Sequence, residues 1–298
     1  MHVRFARHAA TSLLFLAACT TTQMNNTADH SNHDSAAPSA SLAVPASNTL
    51  PADAAGARAR LASSPRHGEW VMIPGGNGDS VRAWVVYPER KDKAPVIVVV
   101  HEIYGLSPWV RAVADQFAAE GFIAIAPDLL TMKNLPNPTD SVPAELATAA
   151  IRTLDNADVQ RYIDVAARYA MAFPSAQPKY GVVGFCWGGN ISFEHAVHSP
   201  TLGASVVYYG PNPSPESLSS VKAPVLGLYG GTDARVGATI PPADSAMKAM
   251  NKTYTHYSYE GAGHGFLRQQ SGQAGANLTA TQQAWPATVS WFRRYLGR

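Results

Sequence analysis

Residues 180–189 read Tyr-Gly-Val-Val-Gly-Phe-Cys-Trp-Gly-Gly, an apolar run that leads directly into a glycine-flanked cysteine. The run is typical of a buried strand, and residues 188–198 have the period of a helix. Side chains at Gly184 and Gly188 would obstruct a sharp turn from strand to helix, which explains why both positions are glycine. The stretch therefore predicts a strained turn that presents the Cys186 thiol, with Cys where the pattern G-x-S-x-G has Ser.

The sequence around this turn predicts a mostly parallel sheet. From Gly68 onward, short apolar runs alternate with longer segments of helical period, as in α/β domains whose sheets are covered by helices. We predict a single α/β domain with a sheet of about seven to eight strands flanked by helices. The predicted strands are 81–87, 96–100, 122–126, 180–184, 204–208, 225–229 and 253–259, and the predicted helices are 108–120, 144–154, 156–171, 188–198, 242–250 and 282–296. Ligands of such sheets bind outside the carboxyl ends of the strands, where we expect the chemistry.

Composition and charge exclude several classes of function. The 298 residues are 46% hydrophobic and 15% charged, which favours a large buried core over disorder. Without Arg4 and Arg7 the remaining charges balance, and a neutral body lacks the electrostatic footprint of a nucleic-acid-binding protein. Two cysteines, Cys19 and Cys186, are too few for a disulfide framework or a thiolate zinc cluster. We therefore expect no nucleic-acid partner, no metal and no organic cofactor.

The N-terminus has the order of an export signal. Residues 1–18 have a positive start and then an apolar stretch of about ten residues, too short to span a bilayer. The tetrapeptide Leu16-Ala17-Ala18-Cys19 resembles the lipobox of bacterial lipoproteins, which are cut before Cys and lipidated on its thiol. Thr20 follows where Asp would favour inner-membrane retention. We predict export and a lipid anchor at Cys19 in the outer membrane, on the periplasmic side or the cell surface. Ordinary signal cleavage, or no export, stays open.

A low-complexity segment follows the signal. Residues 19–67 are rich in Ala, Ser, Thr and Pro, which predicts a flexible tether before the folded domain at 68–298. The histidines and aspartates at positions 29–34 are read as parts of a solvated linker, because no rigid scaffold supports them as metal ligands. The Ala-rich stretch 52–63 is compatible with a short helix docked on the domain.

A nucleophile at a turn of this kind needs a base and an acid that orients the base. In this type of sheet they follow the nucleophile in the order acid, then His, each beyond a later strand. Asp233 comes after Gly230-Gly231-Thr232, and His264 comes after Gly261-Ala262-Gly263. Taken alone, the Asp is equally typical of a turn, and the His of a solvated loop. Together they predict a Cys-His-Asp triad in which the imidazole can hold the thiol as thiolate.

Other histidines fit structural roles better. His195 and His198 lie at i and i+3 on the predicted helix, where packing or solvent exposure is expected. His101 ends a predicted strand and begins the loop that carries the second oxyanion donor in this type of fold. We expect His101 to shape that loop.

Five stretches resemble the dienelactone hydrolase family of α/β-hydrolases, also called carboxymethylenebutenolidases. They are His101-Glu102-Ile103-Tyr104-Gly105, Ala126-Pro127-Asp128-Leu129, Gly184-Phe185-Cys186-Trp187-Gly188-Gly189, Gly230-Gly231-Thr232-Asp233 and Gly263-His264-Gly265-Phe266. The resemblance covers residues 68–297 and implies the α/β-hydrolase fold. It also implies hydrolysis of a small ester or lactone by Cys186, Asp233 and His264 without a cofactor.

The resemblance implies further site residues. Ile103 and Trp187 would supply the oxyanion N–H groups, and Glu102 would hold the thiol in its resting state. A carboxylate beside a thiol can also take its proton when substrate displaces the contact. Arg268, with Tyr104, would bind a substrate carboxylate, although a solvated Arg268 or one paired with a surface carboxylate stays open.

A second family arginine is missing from residues 142–145, so the dienelactone itself is in doubt and another ester or lactone is expected. We predict a membrane-tethered hydrolase, monomeric rather than oligomeric, that works through a thioester acyl-enzyme. The alternatives are a non-catalytic binding lipoprotein that retains the fold, and a peptidase or polyester depolymerase with a long open cleft.

Overall fold

The computed structural model describes residues 49–76, 78–136 and 141–297, and these contain one eight-stranded sheet. The strand order is β1-β2-β4-β3-β5-β6-β7-β8, with β1–β2 and β2–β4 antiparallel and all other neighbours parallel. The strands are β1 Gly68–Pro74, β2 Ser80–Val86, β3 Ala94–Val100, β4 Ile123–Pro127, β5 Ala176–Phe185, β6 Ala204–Tyr208, β7 Val225–Gly230 and β8 Tyr254–Tyr259. The predicted α/β domain with a mostly parallel sheet is confirmed.

Helices cover both faces of the sheet. They are α1 Ala57–Ala62, α2 Pro108–Ala119, α3 Ala144–Ile151, α4 Asn156–Met171, α5 Trp187–His198, α6 Ala234–Gly237, α7 Ile240–Ala249 and α8 Ala276–Leu296. Helices α2 and α8 pack on one face through Phe117, Trp285 and Phe292. On the other face, α4, α5 and α7 enclose a second apolar layer. Strand β3 is buried along its whole length between these layers, so its carboxyl end is fixed at the centre of the domain.

Strand β1 and helices α8 and α3 are among the elements that differ from the prediction. Strand β1 was not predicted, because it is an edge strand in which only Ile73 is buried and no clear alternation of apolar residues results. Helix α8 begins at Ala276 rather than at 282. Its first turns contain the buried polar residues Asn277 and Thr281, which make hydrogen bonds there and interrupt the apolar period. Helix α3 ends at Ile151, before the predicted 154.

The turn between β5 and α5 is the strained element that the sequence predicts. Cys186 has φ 55° and ψ −115°, a conformation that residues with side chains rarely adopt. A Cβ atom on Gly184 would lie 1.8 Å from the Gly188 carbonyl oxygen, and one on Gly188 would lie 2.3 Å from the His101 carbonyl oxygen. The missing side chain at Gly188 therefore allows the loop after β3 to lie directly against the turn that presents the thiol.

The segment before β1 corrects the predicted tether. Residues 49–67 fall inside the range 19–67 expected to be flexible, yet they pack on the domain. The short helix considered within 52–63 is present as α1, whose Ala57 is buried against α2. The predicted signal at 1–18, the lipidation site Cys19 and the rest of the tether lie outside the described residues. Within the described part of the chain, no helix combines the length and apolar character that crossing a bilayer requires.

Candidate active site

The predicted acid and base meet at the carboxyl edge of the sheet. Asp233 follows β7 and His264 follows β8, and the Asp233 Oδ2 lies 2.6 Å from the His264 Nδ1. The second carboxylate oxygen, Oδ1, accepts a hydrogen bond from the Val236 N–H at 3.2 Å and so begins α6. Because Nδ1 faces the carboxylate, Nε2 is the nitrogen that can accept a proton from a reacting group.

The Cys186 thiol lies in a partly buried position at the N-terminus of α5. Burial first, and the nearby Glu102 carboxylate second, raise the pKa of the thiol to about 11. The Trp187 backbone N–H donates a hydrogen bond toward the sulfur, and Arg235 and Arg268 add positive charge, all of which lower this pKa by less. The resting group at neutral pH is therefore a thiol, whereas the sequence suggested a thiolate held by imidazole.

Glu102 is a buried carboxylate near enough to the thiol for its charge to raise the thiol's pKa. Its side chain is 4% exposed, and its Oε2 lies 2.8 Å from the Arg268 Nε. Burial raises the pKa of Glu102 to about 7, although Arg268 and the Tyr209 hydroxyl oppose this rise. A carboxyl group that titrates near neutrality can both accept and return a proton, as acid–base catalysis requires.

The loop that carries Glu102 is fixed by His101. The His101 Nε2 accepts a hydrogen bond from the Leu129 N–H at 3.2 Å, so its Nδ1–H donates to the Glu102 carbonyl oxygen at 2.8 Å. The imidazole also stacks on the Trp187 indole, with ring centroids 5.6 Å apart. These contacts agree with the expected loop-shaping role of His101. They also hold Ile103, which follows Glu102 directly, beside the start of α5.

The predicted substrate-binding residues lie together, but Arg268 is already paired. Its guanidinium lies 5.0 Å from the centre of the Tyr104 ring while its Nε contacts Glu102. This is the paired state that the sequence left open, with a buried partner rather than a surface one.

An apolar cluster borders the predicted oxyanion residues. Its buried members are Leu130, Ala147 and Ile151, and we call it the α3 cluster because α3 supplies the last two. Ile103, Val142 and Trp187 are partly buried against it. Val142 belongs to the segment in which the resemblance leads one to expect a second arginine. The side of the site where the resemblance would place a second cation is therefore apolar.

Two residues at the site were not found from the sequence. Tyr209 is buried with φ 40°, its ring centre lies 5.3 Å from that of His264, and its hydroxyl faces Glu102. Its position directly after the predicted strand 204–208 was a usable signal, because the carboxyl ends of parallel strands carry ligand-binding residues. Arg235, two positions after Asp233, contributes charge at the thiol, and no pattern in the sequence marked it.

The remaining helix histidines have structural partners. His195 is fully buried, its Nδ1–H donates to the Gln160 Oε1 at 2.7 Å, and its Nε2 accepts from the Tyr180 hydroxyl at 3.0 Å. Burial lowers the pKa of His195 to about 3. His198 pairs with Asp164 at the surface. Across residues 49–76, 78–136 and 141–297, no group of three or more His, Cys, Asp or Glu side chains has the arrangement of a metal site.

The family model for the dienelactone hydrolase family matches residues 81–296, which include every site residue described above. The chain belongs to this family. A protein of Salmonella typhimurium named "putative carboxymethylenebutenolidase" is 31% identical over 233 residues, with 74% of this chain and 85% of that protein covered. Membership makes the protein a hydrolase of the α/β-hydrolase fold.

Solved structures agree with this assignment. The crystal structure of a "putative dienelactone hydrolase" from Klebsiella pneumoniae superposes with a TM-score of 0.68 at 27% identity, covering 77% of this chain and 99% of that one. Dienelactone hydrolase from Anabaena variabilis has a TM-score of 0.60 at 23% identity, with 77% and 98% covered, and supports the fold alone.

The raised pKa of Glu102 predicts a pH-dependent stability. Because the folded-state pKa, about 7, lies above the ordinary 4.5, the folded protein binds the proton more tightly than the unfolded chain. This contribution to stability is complete below 4.5 and is lost as pH rises through about 7. In urea titrations, we expect the free energy of unfolding of wild type to fall by on the order of 2 kcal/mol from pH 5 to pH 8, relative to that of Glu102→Gln.

The control is Glu120→Gln, which removes a glutamate from a surface pair with Arg293. It should follow wild type across the same pH range. Parallel curves for wild type and Glu102→Gln would show that Glu102 does not titrate between these limits.

Proposed function

We propose that the protein hydrolyses small esters or lactones through a thioester on Cys186. The observation that carries the proposal is the position of the strained Cys186 thiol, with the Glu102 carboxylate near it at the edge where Asp233 and His264 are paired. The family relationship supports the reaction class, and the name carboxymethylenebutenolidase of the Salmonella relative favours a lactone among the candidate substrates.

Acylation begins when Glu102 accepts the Cys186 proton. With a pKa near 7 for Glu102 and about 11 for the thiol, this transfer is unfavourable at rest and must be driven by substrate binding. The thiolate then attacks the carbonyl carbon, and the N–H groups of Ile103 and Trp187 stabilise the oxyanion. Collapse forms the thioester and breaks the C–O bond, and the alkoxide takes up the proton that the thiol lost.

Deacylation uses the Asp233–His264 pair rather than Glu102. The His264 Nε2 accepts a proton from water, and Asp233 stabilises the resulting imidazolium through Nδ1. The hydroxide attacks the thioester, the C–S bond breaks, and the proton returns from His264 to the sulfur. The products are the carboxylic acid and the restored thiol. For a lactone substrate, the alcohol and the acid remain in one opened chain.

The polarity of the site supports substrates with at most one carboxylate. Arg268 is the cation predicted to receive this carboxylate. Where a second arginine would contribute another positive charge, the site has the apolar α3 cluster and Val142 instead. Binding a substrate anion at Arg268 would weaken its pairing with Glu102. The Glu102 pKa would then rise, because Arg268 lowers it, and proton transfer from the thiol would become easier.

Substitution of the triad tests the covalent mechanism. We expect Cys186→Ala and His264→Ala each to lower kcat by at least about 10³-fold, and Asp233→Asn to cost less, because Asp233 orients and stabilises rather than reacts. The matched control is His198→Ala, which removes a histidine from a surface His–Asp pair at 3.1 Å. It should retain wild-type turnover. Wild-type turnover by Cys186→Ala on a panel of lactones and aryl esters would contradict the thioester.

Arg268→Met tests whether Arg268 selects substrates by their charge. A charge-assisted hydrogen bond is worth about 1.5–3 kcal/mol, or about 10- to 150-fold in kcat/KM. We expect kcat/KM of the variant to fall more on a lactone with one carboxylate than on its neutral analogue. The difference between the two losses should be about 10-fold, the lower limit of this range. Arg235→Met, which removes another charge near the thiol, should affect both substrates alike. Equal losses in Arg268→Met would mean that Arg268 does not select for charge.

We extend the proposal to the N-terminus and the location of the enzyme. The mature protein is proposed to begin at a lipidated Cys19, which would tether the hydrolase to the outer membrane; the support is the order of residues 1–19 alone. Mass spectrometry of the N-terminal peptide from the membrane fraction should find a diacylated or triacylated Cys19. An unprocessed Met1, or a lipid-free terminus after Cys19, would refute the anchor.

A further inference from the structure

Residues 49–62 precede the region that the family model matches, yet they contact the loop that carries the candidate base. We call residues 49–62 the strap and residues 264–270 the histidine loop. The Ala54 N–H donates to the Arg268 carbonyl oxygen at 2.9 Å, and the Gln270 Nε2 donates to the Pro51 carbonyl oxygen at 2.8 Å. Gln270 is 2% exposed, so water does not compete with its hydrogen bond.

The strap also contacts the first turn of α2. The Trp109 Nε1–H donates to the Ala52 carbonyl oxygen at 3.1 Å, and Trp109 is 3% exposed. Helix α2 begins directly after the loop that carries Glu102. The Trp109 ring packs edge to face on Phe185, with centroids 5.1 Å apart, and Phe185 is the residue before Cys186. The strap therefore lies against the histidine loop, and through Trp109 it is connected to the strand that precedes Cys186.

The strap has its own anchors. The Asp53 Oδ1 accepts a hydrogen bond from the Gly56 N–H at 2.8 Å, which fixes the turn before α1. The Arg60 Nη1 donates to the Leu50 carbonyl oxygen and to the Gln116 Oε1 on α2, at 3.3 and 2.8 Å. Ala57 is 1% exposed against α2. A segment held in this way can resist movement of the loop that it contacts.

The histidine loop lacks strands and long helices of its own. It contains Gly265 at φ 75°, and it is held by the buried side chains of Phe266 and Leu267 and by hydrogen bonds at its flanks, such as that from the Gly263 N–H to the Asn277 Oδ1 at 2.9 Å. Two strap bonds reach the loop after His264, at the Arg268 backbone and at Gln270. The same Arg268 pairs with Glu102 through its side chain. Displacement of this part of the loop would therefore move the base and the partner of Glu102 together.

We propose that the strap is a positioning element that holds His264 and Arg268 in register with Cys186. Its effect on turnover rests on the hydrolase function proposed above, whereas its effect on the mobility of the histidine loop does not. Small displacements of reacting groups reduce rate much more than binding, because the near-attack geometry is lost while most substrate contacts persist. The expected signature is a loss of kcat with little change in KM.

The experiment uses the full-length protein with Gln270→Met, which keeps the length of the side chain and removes both bonds of the Nε2, the strap bond and the bond to the Leu267 carbonyl oxygen at 3.1 Å. The matched control is Gln177→Met, because the Gln177 Nε2 also donates to a backbone carbonyl, that of Lys93 at 2.9 Å, far along β5 from the site. A second variant, Trp109→Phe, removes the bond to Ala52 and keeps an aromatic ring against Phe185. It serves if Gln270→Met does not fold. The Trp109→Phe variant keeps the Leu267 bond, so it separates the effect of the strap from that of the loop's own bond.

Two measurements are made on each variant: kcat and KM on a neutral ester or lactone, which does not use Arg268 as an anion site, and amide hydrogen exchange of peptides from residues 264–270. For Gln270→Met we expect kcat to fall about tenfold with KM within about twofold, and exchange in the histidine loop to rise. Trp109→Phe should show the same signature to a smaller extent, and Gln177→Met should match wild type.

Unchanged exchange in the histidine loop in both strap variants would overturn the proposal, as would unchanged kcat in variants of an active wild type. Equal losses in Gln177→Met would also overturn it, because the effect would then be general. If exchange rises as expected but wild type hydrolyses no ester or lactone, the strap holds the loop and the proposed function is the part that fails.

Discussion

The site depends on the contact between two backbones at the start of α5. Because Gly184 and Gly188 have no side chains, the turn at Cys186 closes tightly, and the loop after β3 lies on it through the carbonyl groups of Val100 and His101. That approach brings Glu102 to the thiol in a position that excludes water. Any Cβ at Gly188 would push the loop away and separate the carboxylate from the sulfur.

Because Glu102 is buried, it needs a partner of opposite charge, which is Arg268. A buried carboxylate without a partner is costly, and the Arg268 guanidinium offsets part of that cost through an ion pair at 2.8 Å. Arg268 lies on the same loop as His264. The pair therefore links the loop that carries His264 to the loop beside Cys186, and residues 49–62 contact the first of these loops from outside the region that the family model matches.

The features that could be predicted from the sequence were set by local sterics and chain order. Glycines around Cys186 predicted its strained φ, and the order Cys186, Asp233, His264, with each of the last two beyond a later strand, predicted that acid and base would meet, as Asp233 and His264 do. The alternation of apolar runs and helical segments predicted the sheet for the same reason, since each element carries its own period.

Features that depend on pairing with another segment were not predicted, even where that segment is near in sequence. Strand β1 is defined by pairing with β2 rather than by its own burial, and α8 begins with polar residues whose partners lie at positions 263–269. The Arg268–Glu102 pair joins positions far apart in sequence, and neither residue indicates the other. Residues 49–67 have the composition of a linker. Their sequence was compatible with a short helix within 52–63, but it did not indicate the bonds to Trp109 and Gln270 that hold the segment on the domain.

The most direct test of the thioester is to trap it. Wild type and His264→Ala would be mixed with a p-nitrophenyl ester and quenched in acid at short times, and the intact mass and the peptide masses would be measured. In His264→Ala, whose deacylation should be slower than its acylation, we expect one acyl group per chain, located on Cys186 and released by hydroxylamine. Hydrolysis of the ester with no adduct at any time, or an adduct on another residue, would contradict it.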